Sequence, residues 1–236
     1  MRLYTLNDNW HHEIQRDVLK RGIWIHTGRM QDKETITDDQ FSTRELINYS
    51  FAILNVSNLI DVQRNLSNCD FKWADAEFKE RITDAYINPG TAWKIRKEIW
   101  TEFLNRNNGK FAYSYNDRIR SQLTNIINEI KKHNYTRQAV LSIYNPTVDS
   151  EKIGVDRIPC SMYYQFLFRD NKLHIIYNMR SCDAFTHYHN DIYLAIKLLH
   201  YIANKTSLPV GNFYMNIGSL HAYKKDIPDK LLNDIY

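Results

Sequence analysis

Two periods of apolar and polar positions run through this chain. Between Asp117 and His133, Ile119, Leu123, Ile126, Ile127 and Ile130 recur at helical spacing, with Arg118, Arg120, Lys131 and Lys132 on the other faces. That spacing predicts an amphipathic helix. Residues 11–21 predict a shorter helix ending before Gly22, and an apolar helix is expected over Ile192–Ala203. Ser42-Thr43-Arg44-Glu45 has the spacing of a capping box, so a further helix is expected from Ser42. Ala139–Tyr144 reads as a strand stopped by Asn145-Pro146, and Asn212–Ile217 as another. Met162–Phe168 and Leu173–Met179 are two strand-length runs joined by the hairpin turn Arg169-Asp170-Asn171-Lys172. Residues 61–110 hold Trp73, Trp93 and Trp100 without a clean period and read as helices and loops. Helices packed on a mainly antiparallel sheet make the expected class α+β.

Composition narrows the classes. The 236 residues include only 7 Gly and 5 Pro and contain no repeat or flexible linker, so a single domain over 1–236 is expected. Hydrophobic residues at 43% and charged residues at 25% exclude wholesale disorder. Apolar runs such as Ile192–Leu199 are too short for a membrane span, and the first eight residues lack the apolar stretch of a secretion signal. Three cysteines, Cys69, Cys160 and Cys182, form no C-x-x-C pair. A reducing cytoplasm is therefore the expected compartment. The net charge of +4 comes with no basic stripe interleaved with aromatics, so neither nucleic acid nor membrane is an expected partner.

Four local clusters could carry chemistry. Pro159-Cys160-Ser161 places a thiol at the entrance to a strand. Met179-Arg180-Ser181-Cys182-Asp183 ends a strand in a guanidinium, a hydroxyl and a carboxylate. In His187-Tyr188-His189-Asn190-Asp191 the alternation of His, His and Asp would suit a metal ion, but no second ligand cluster supports one, and a polar loop is the plainer reading. In Gly218-Ser219-Leu220-His221-Ala222-Tyr223 a glycine turn precedes His and Tyr two apart.

The order of these clusters, with Gln165-Phe166 between the first two, resembles the thymidylate synthase superfamily over roughly residues 117–223. The resemblance is closer still to its deoxycytidylate hydroxymethylase branch, which shares Asn178-Met179-Arg180-Ser181, Asn190-Asp191 and Gly218–Tyr223. It implies that Cys160 is the nucleophile that adds to C6 of a pyrimidine nucleoside monophosphate and activates C5. Arg180 then touches both phosphate and nucleophile, Ser181 is a second phosphate contact, and Gln165 belongs to the substrate-binding set. Arg137 matches one of a pair of arginines that the family lends from the partner subunit, which implies a homodimer with shared active sites. Arg29 is a candidate for the phosphate loop. His221 and Tyr223 match the residues that hold the sugar 3′-hydroxyl.

Methylenetetrahydrofolate is the implied cosubstrate. Asp183 resembles the carboxylate that bonds the pterin, and Glu45 resembles the glutamate that organises water and proton transfers near the base. Asp191 stands where the synthases carry an asparagine. An amide suits uracil, whereas a carboxyl suits the exocyclic amine and N3 of cytosine, so dCMP is the implied substrate and 5-hydroxymethyl-dCMP the implied product. The plainer reading of Asp191 is a helix cap.

Three positions depart from the family. Gln138 replaces the second arginine of the pair, His187 replaces a glycine near the folate wall, and about a dozen residues follow Tyr223, so the family's closing segment is expected to be missing. Two alternatives stay open. One is a hydroxymethylase for the ribonucleotide CMP, against which Ser181 weighs if it fills the room for a 2′-hydroxyl. The other is a catalytically silent nucleotide-binding module.

Overall fold

The computed structural model describes residues 1–30, 33–35, 37–66 and 68–233. Its strands are β1 (Arg2–Thr5), β2 (Ile23–Ile25), β3 (Arg29–Met30), β4 (Lys33–Glu34), β5 (Thr43–Leu54), β6 (Val140–Ser142), β7 (Ser161–Arg169), β8 (Lys172–Asp183) and β9 (Val210–Tyr223). Its helices are α1 (Trp10–Arg21), α2 (Leu59–Asn65), α3 (Phe71–Arg81), α4 (Lys97–Trp100), α5 (Tyr115–Lys132), α6 (Pro146–Asp149), α7 (Tyr188–Thr206) and α8 (Asp229–Asn233). The main sheet has seven strands in the order β1-β5-β9-β8-β7-β6, with β2 added to β5, while β3 and β4 form a separate hairpin.

The class is α+β as expected, and the main sheet is mixed. The β1·β5 and β8·β9 pairs are parallel and the other four antiparallel. The parallel β8·β9 pair follows from its connection. The 19-residue helix α7 carries the chain back along the sheet, so β9 must run in the direction of β8.

The β7–β8 hairpin forms where the sequence predicts it. Asp170 and Asn171 adopt φ of 50° and 56°, the left-handed pair that a two-residue turn needs and that short polar side chains tolerate. Helix α5 starts two residues before its expected first residue, capped by Ser114 Oγ, which accepts from Asp117 N at 3.2 Å.

The helix expected from Ser42 is instead the long strand β5. Tyr49, Phe51 and Ile53 are buried at period two, and no apolar helical stripe follows the capping-box residues. Ser42 serves the loop before the strand, where its hydroxyl donates to Asp39 Oδ1 at 2.9 Å and its carbonyl accepts from Lys224 N at 2.8 Å.

Buried side chains alternate along the central strands: Tyr164, Phe166 and Phe168 on β7, Leu173, Ile175 and Tyr177 on β8, and Phe213, Met215 and Ile217 on β9. Between them Gln165, Asn178, Tyr214 and Asn216 face the other side and stay partly open. Among the described residues no helix is long and apolar enough to cross a membrane.

Candidate active site

Strand register brings the chemical side chains together. β7 begins directly after Cys160, and its pairing with β8 sets Ser161 opposite Met179. Arg180 therefore lies beside Cys160, with its backbone N donating to Cys160 O at 2.9 Å. The Arg180 guanidinium donates from Nε to Pro159 O at 2.9 Å and from Nη2 to Ile158 O at 3.2 Å, with Nη2 also 3.7 Å from Cys160 Sγ. A cation at that distance attracts negative charge that develops on sulfur.

The β8·β9 register then aligns Ser181 with Ser219 and Asp183 with His221. The β5·β9 register aligns Glu45 with His221 and Thr43 with Tyr223. Gly218 permits this approach, since a Cβ there would lie 2.9 Å from Arg180 O.

Two adjoining cavities open over these strand ends. The first, about 280 Å³, is lined by Cys160, Asp183 and Asp191 together with Trp73, Trp93, Trp100 and Phe111. The second, about 330 Å³, is lined by Arg29, Glu45, Arg180 and Ser219. Ser181, His221 and Tyr223 line both. His221 Nδ1 lies 3.4 Å from Ser181 Oγ, and its ring meets that of Tyr223 edge-on at 5.1 Å. Asp183 holds the turn after β8, where its carboxylate accepts from Phe185 N at 2.9 Å and Thr186 Oγ1 at 2.5 Å.

Asp191 is buried in the first turn of α7, three residues inside a helix whose cap position is His187. It is not the helix cap. Burial pushes its carboxyl up to about 7, with Arg81 and Arg96 pulling the other way. His187 sits beside it, and burial followed by the nearby Arg96 pushes its imidazole down to about 3. His189 points away from both, with its ring 4.2 Å from Tyr188, 5.6 Å from His11 and 6.2 Å from Trp10. The alternating His187, His189 and Asp191 are thus split between opposite faces of α7, and they cannot converge on one metal ion.

The structure gathers Cys160, Ser181, Asp183, Asp191, His221 and Tyr223 around the first cavity and Arg29, Glu45 and Arg180 around the second. Glu45 does not line the cavity that holds Cys160 and Asp191. Arg137 and Gln165 line neither cavity. Arg137 is exposed before β6, and Gln165 Nε2 donates to its carbonyl at 3.0 Å.

Three residues that the sequence reading passed over line the first cavity: Glu77, Arg81 and Tyr115. Arg81 is buried, donates from Nε to Glu77 Oε1 at 2.8 Å, and stacks over the Tyr115 ring at 3.7 Å. Tyr115 OH in turn shares a hydrogen bond with Ser161 Oγ at 3.0 Å. Their signal in the sequence was the i,i+4 spacing of Glu77 and Arg81 on one helix. Glu80, also in the cavity wall, is taken up by the loop, accepting from Thr91 N at 2.6 Å and Ala92 N at 2.9 Å.

Known proteins are similar to this chain in sequence and in fold. The family model described as Thymidylate synthase matches residues 31–233. The chain belongs to the thymidylate synthase family. A putative thymidylate synthase of Methanosarcina barkeri is 27% identical over 208 residues, covering 84% of this chain and 91% of that protein. One from Methanococcoides burtonii is 29% identical over 157 residues, covering 61% of this chain and 71% of its own. Among solved structures, thymidylate synthase A of Bacillus subtilis superposes with a TM-score of 0.74 at 16% identity, covering 98% of this chain and 84% of that one. The thymidylate synthase of T4 phage does so at 0.68 and 20% identity, covering 90% and 76%. Members of the thymidylate synthase family are one-carbon transferases with methylenetetrahydrofolate as cosubstrate.

Proposed function

We propose that this protein transfers a one-carbon unit from methylenetetrahydrofolate to C5 of dCMP, with water supplying the hydroxyl, and releases 5-hydroxymethyl-dCMP and tetrahydrofolate. The observation that carries this reading is Asp191, a buried carboxyl in the same cavity as Cys160, held up to about 7. A carboxyl that titrates there is available as a neutral acid, which offers one acceptor and one donor side by side. Cytosine presents the complement, an amine that donates and an N3 that accepts.

The remaining residues divide the nucleotide between the two cavities. The Cys160 thiolate adds to C6 of the base, and Arg180 accompanies the charge on sulfur. Arg180, Ser181 and Arg29 receive the 5′-phosphate in the second cavity, and His221 and Tyr223 hold the sugar between the two. Glu77, which lines the cavity of Cys160 and Asp191 where Glu45 does not, moves a proton to or from water near the base.

Residues of the first cavity fit the cosubstrate. Trp73, Trp93 and Trp100 form an aromatic wall whose indole N–H groups are buried without a hydrogen-bond partner, and Asp183 adds a carboxylate beside them. When bound, methylenetetrahydrofolate supplies the carbon atom that becomes the hydroxymethyl group. A homodimer with shared sites accounts for the exposed Arg137 and for the partly open face of β7, β8 and β9, with Arg137 reaching the partner's phosphate.

One observation favours a second reading, the ribonucleotide CMP. Glu45 and Ser219 both line the second cavity next to His221, where a 2′-hydroxyl would find an acceptor. The deciding experiment incubates the protein with methylenetetrahydrofolate and each of dCMP, CMP and dUMP and weighs the products. A hydroxymethyl gain on dCMP alone supports the leading reading, and a gain on CMP alone supports the second. A methyl gain on dUMP overturns both, and absence of any product makes the chain a silent nucleotide binder.

A further inference from the structure

His187, one of the positions that depart from the family pattern, lies between Asp191 and the half-buried Arg96. We propose that His187 is a positioning residue that fixes which oxygen of the Asp191 carboxyl carries the proton, acting through the line Arg96–His187–Asp191. The proposal rests on the reading of Asp191 as the group that recognises the base.

Hydrogen-bond polarity along this line has one solution. Arg96 Nη1 lies 3.2 Å from His187 Nδ1. A guanidinium has donors only, so Nδ1 must accept, and the proton of the neutral ring must sit on Nε2. The ring is neutral across the working pH range, since burial and Arg96 push its titration down to about 3. Nε2 lies 3.8 Å from Asp191 Oδ1, too long for a hydrogen bond but close enough for the N–H dipole to act on that oxygen in a buried site. Oδ1 thereby becomes the oxygen that accepts, and the acid proton is left to Oδ2.

The ring is held in place by its neighbours. It meets Trp73 edge-on at 5.4 Å and Trp100 at 6.0 Å, while Arg96 lies over Trp73 at 5.3 Å with its Nε 3.9 Å from Asp70 Oδ2. The other groups that bear on Asp191 are Arg81 from α3 and Asp183 from β8, with the thiols of Cys69 and Cys182 and the phenols of Tyr115, Tyr164 and Tyr177 around it. None of these imposes a direction on the carboxyl proton through a fixed donor.

The consequence is specificity. With Oδ1 accepting and Oδ2 donating, the carboxyl matches the amine and N3 of cytosine. Against uracil the Oδ2 proton would face the N3 proton, two donors with no acceptor between them. The imidazole in place of the family's glycine therefore discriminates between bases, beyond filling space in the cavity wall.

The test uses two variants and one spectrum. H187F keeps an aromatic ring between Trp73 and Trp100 and loses both nitrogens. H187Q keeps the polarity, with an amide oxygen for Arg96 and an N–H for Asp191. The ratio of kcat/KM for dCMP to that for dUMP should fall about tenfold in H187F and stay within about threefold of wild type in H187Q. The 15N spectrum of histidine-labelled protein, with His187 assigned by its loss in the variants, should show Nδ1 unprotonated and Nε2 protonated. A protonated Nδ1 overturns the proposal, whether or not the variants fold. So does a folded H187F with an unchanged ratio, or an H187Q that falls as far as H187F. A wild-type protein without preference for cytosine would reject the base reading instead, and the spectrum alone then decides the proton's place.

Discussion

Arg180 Nη2 stands 3.7 Å from Cys160 Sγ, while the same guanidinium is tied to the carbonyls of Pro159 and Ile158. The cation is thus fixed to the two backbone carbonyls that precede its target, which holds it in place when the sulfur changes charge. Among the described residues Cys69 donates to Asn190 Oδ1 at 3.5 Å, and neither it nor Cys182 has a guanidinium at hydrogen-bonding distance. Burial pushes Cys69 up to about 12 and Cys182 well above the ordinary thiol range.

Cys160→Ser should abolish turnover and leave nucleotide binding intact, because a hydroxyl cannot supply an anion near neutral pH. Cys182→Ser should keep activity and lose about 1–3 kcal/mol of stability, the cost of an unpaired buried hydroxyl. Single-turnover product formation and calorimetric nucleotide binding check both. Residual turnover in Cys160→Ser above a few per cent would exclude it as the nucleophile.

A shared active site predicts complementation. Subunits carrying Arg137→Ala, mixed with subunits carrying Arg180→Ala, should regain activity as heterodimers with one intact site. Each homodimer alone should be nearly inactive at low nucleotide concentration. If labelled subunits exchange and no activity returns, Arg137 does not serve the partner.

The two glutamates should separate by kinetic signature. Glu77→Gln should lower kcat by about a hundredfold, since it removes the carboxylate that lines the Cys160 cavity and pairs with Arg81. Glu45→Gln should change mainly KM, since it lies in the neighbouring cavity with Arg180 and Arg29. Steady-state kinetics on dCMP decide, and the reverse pattern would return the proton-transfer role to Glu45.

How far the sequence reaches can be judged from particular elements. The Asp170-Asn171 turn was legible because its φ of 50° and 56° demands residues of that kind. Helix α5 was legible because only one of its faces meets the core. Strand β5 was not, for two reasons. Its start imitates a helix cap, and Asn48, at φ 54°, interrupts the alternation before Tyr49 and Phe51 restore it. The site motifs on β7, β8 and β9 were legible because strand ends deliver contiguous residues to one place. Glu77 and Arg81 were not, since α3 buries Trp73, Ala74 and Phe78 on the same side, and two charged residues next to so short an apolar stripe read as its solvent edge.

Acid should destabilise the protein through His189. Both of its ring nitrogens are buried without partners, and burial pushes its titration down to about 3. Between about pH 3 and the ordinary value near 6.5 the unfolded chain binds a proton there and the folded chain does not, so stability falls as pH drops through that window. Asp191 acts in the opposite sense, because its raised titration means that the folded chain keeps a proton that the unfolded chain has lost between the ordinary carboxylate range and about 7. His189→Phe removes only the first contribution. It should therefore gain about 2 kcal/mol relative to wild type on going from pH 7.5 to pH 5. Urea unfolding at the two pH values measures this, and an equal difference at both would mean that His189 is charged in the folded protein.

The last prediction concerns the base. Asp191→Asn should move preference from cytosine toward uracil nucleotides. An amide has an oxygen that accepts and an NH₂ that donates, which suits the N3 proton and O4 of uracil. It can still present a donor to N3 of cytosine, but the protein no longer offers a group that exchanges its proton with the base near neutral pH. A mismatched buried polar group costs about 1–3 kcal/mol, so the ratio of kcat/KM for dCMP to that for dUMP should fall roughly ten- to a hundredfold. Activity on dCMP should fall by more than activity on dUMP rises, because Arg81, Arg96 and His187 remain arranged around a carboxyl. The helix itself should be unaffected, since Asp191 lies inside α7 and the cap position belongs to His187. Kinetics of both nucleotides with saturating cosubstrate, together with the thermal midpoint of the variant, make the comparison. A variant that loses several degrees of stability with its base ratio unchanged would make Asp191 a structural residue of α7, and cytosine would then have to be recognised elsewhere in the cavity.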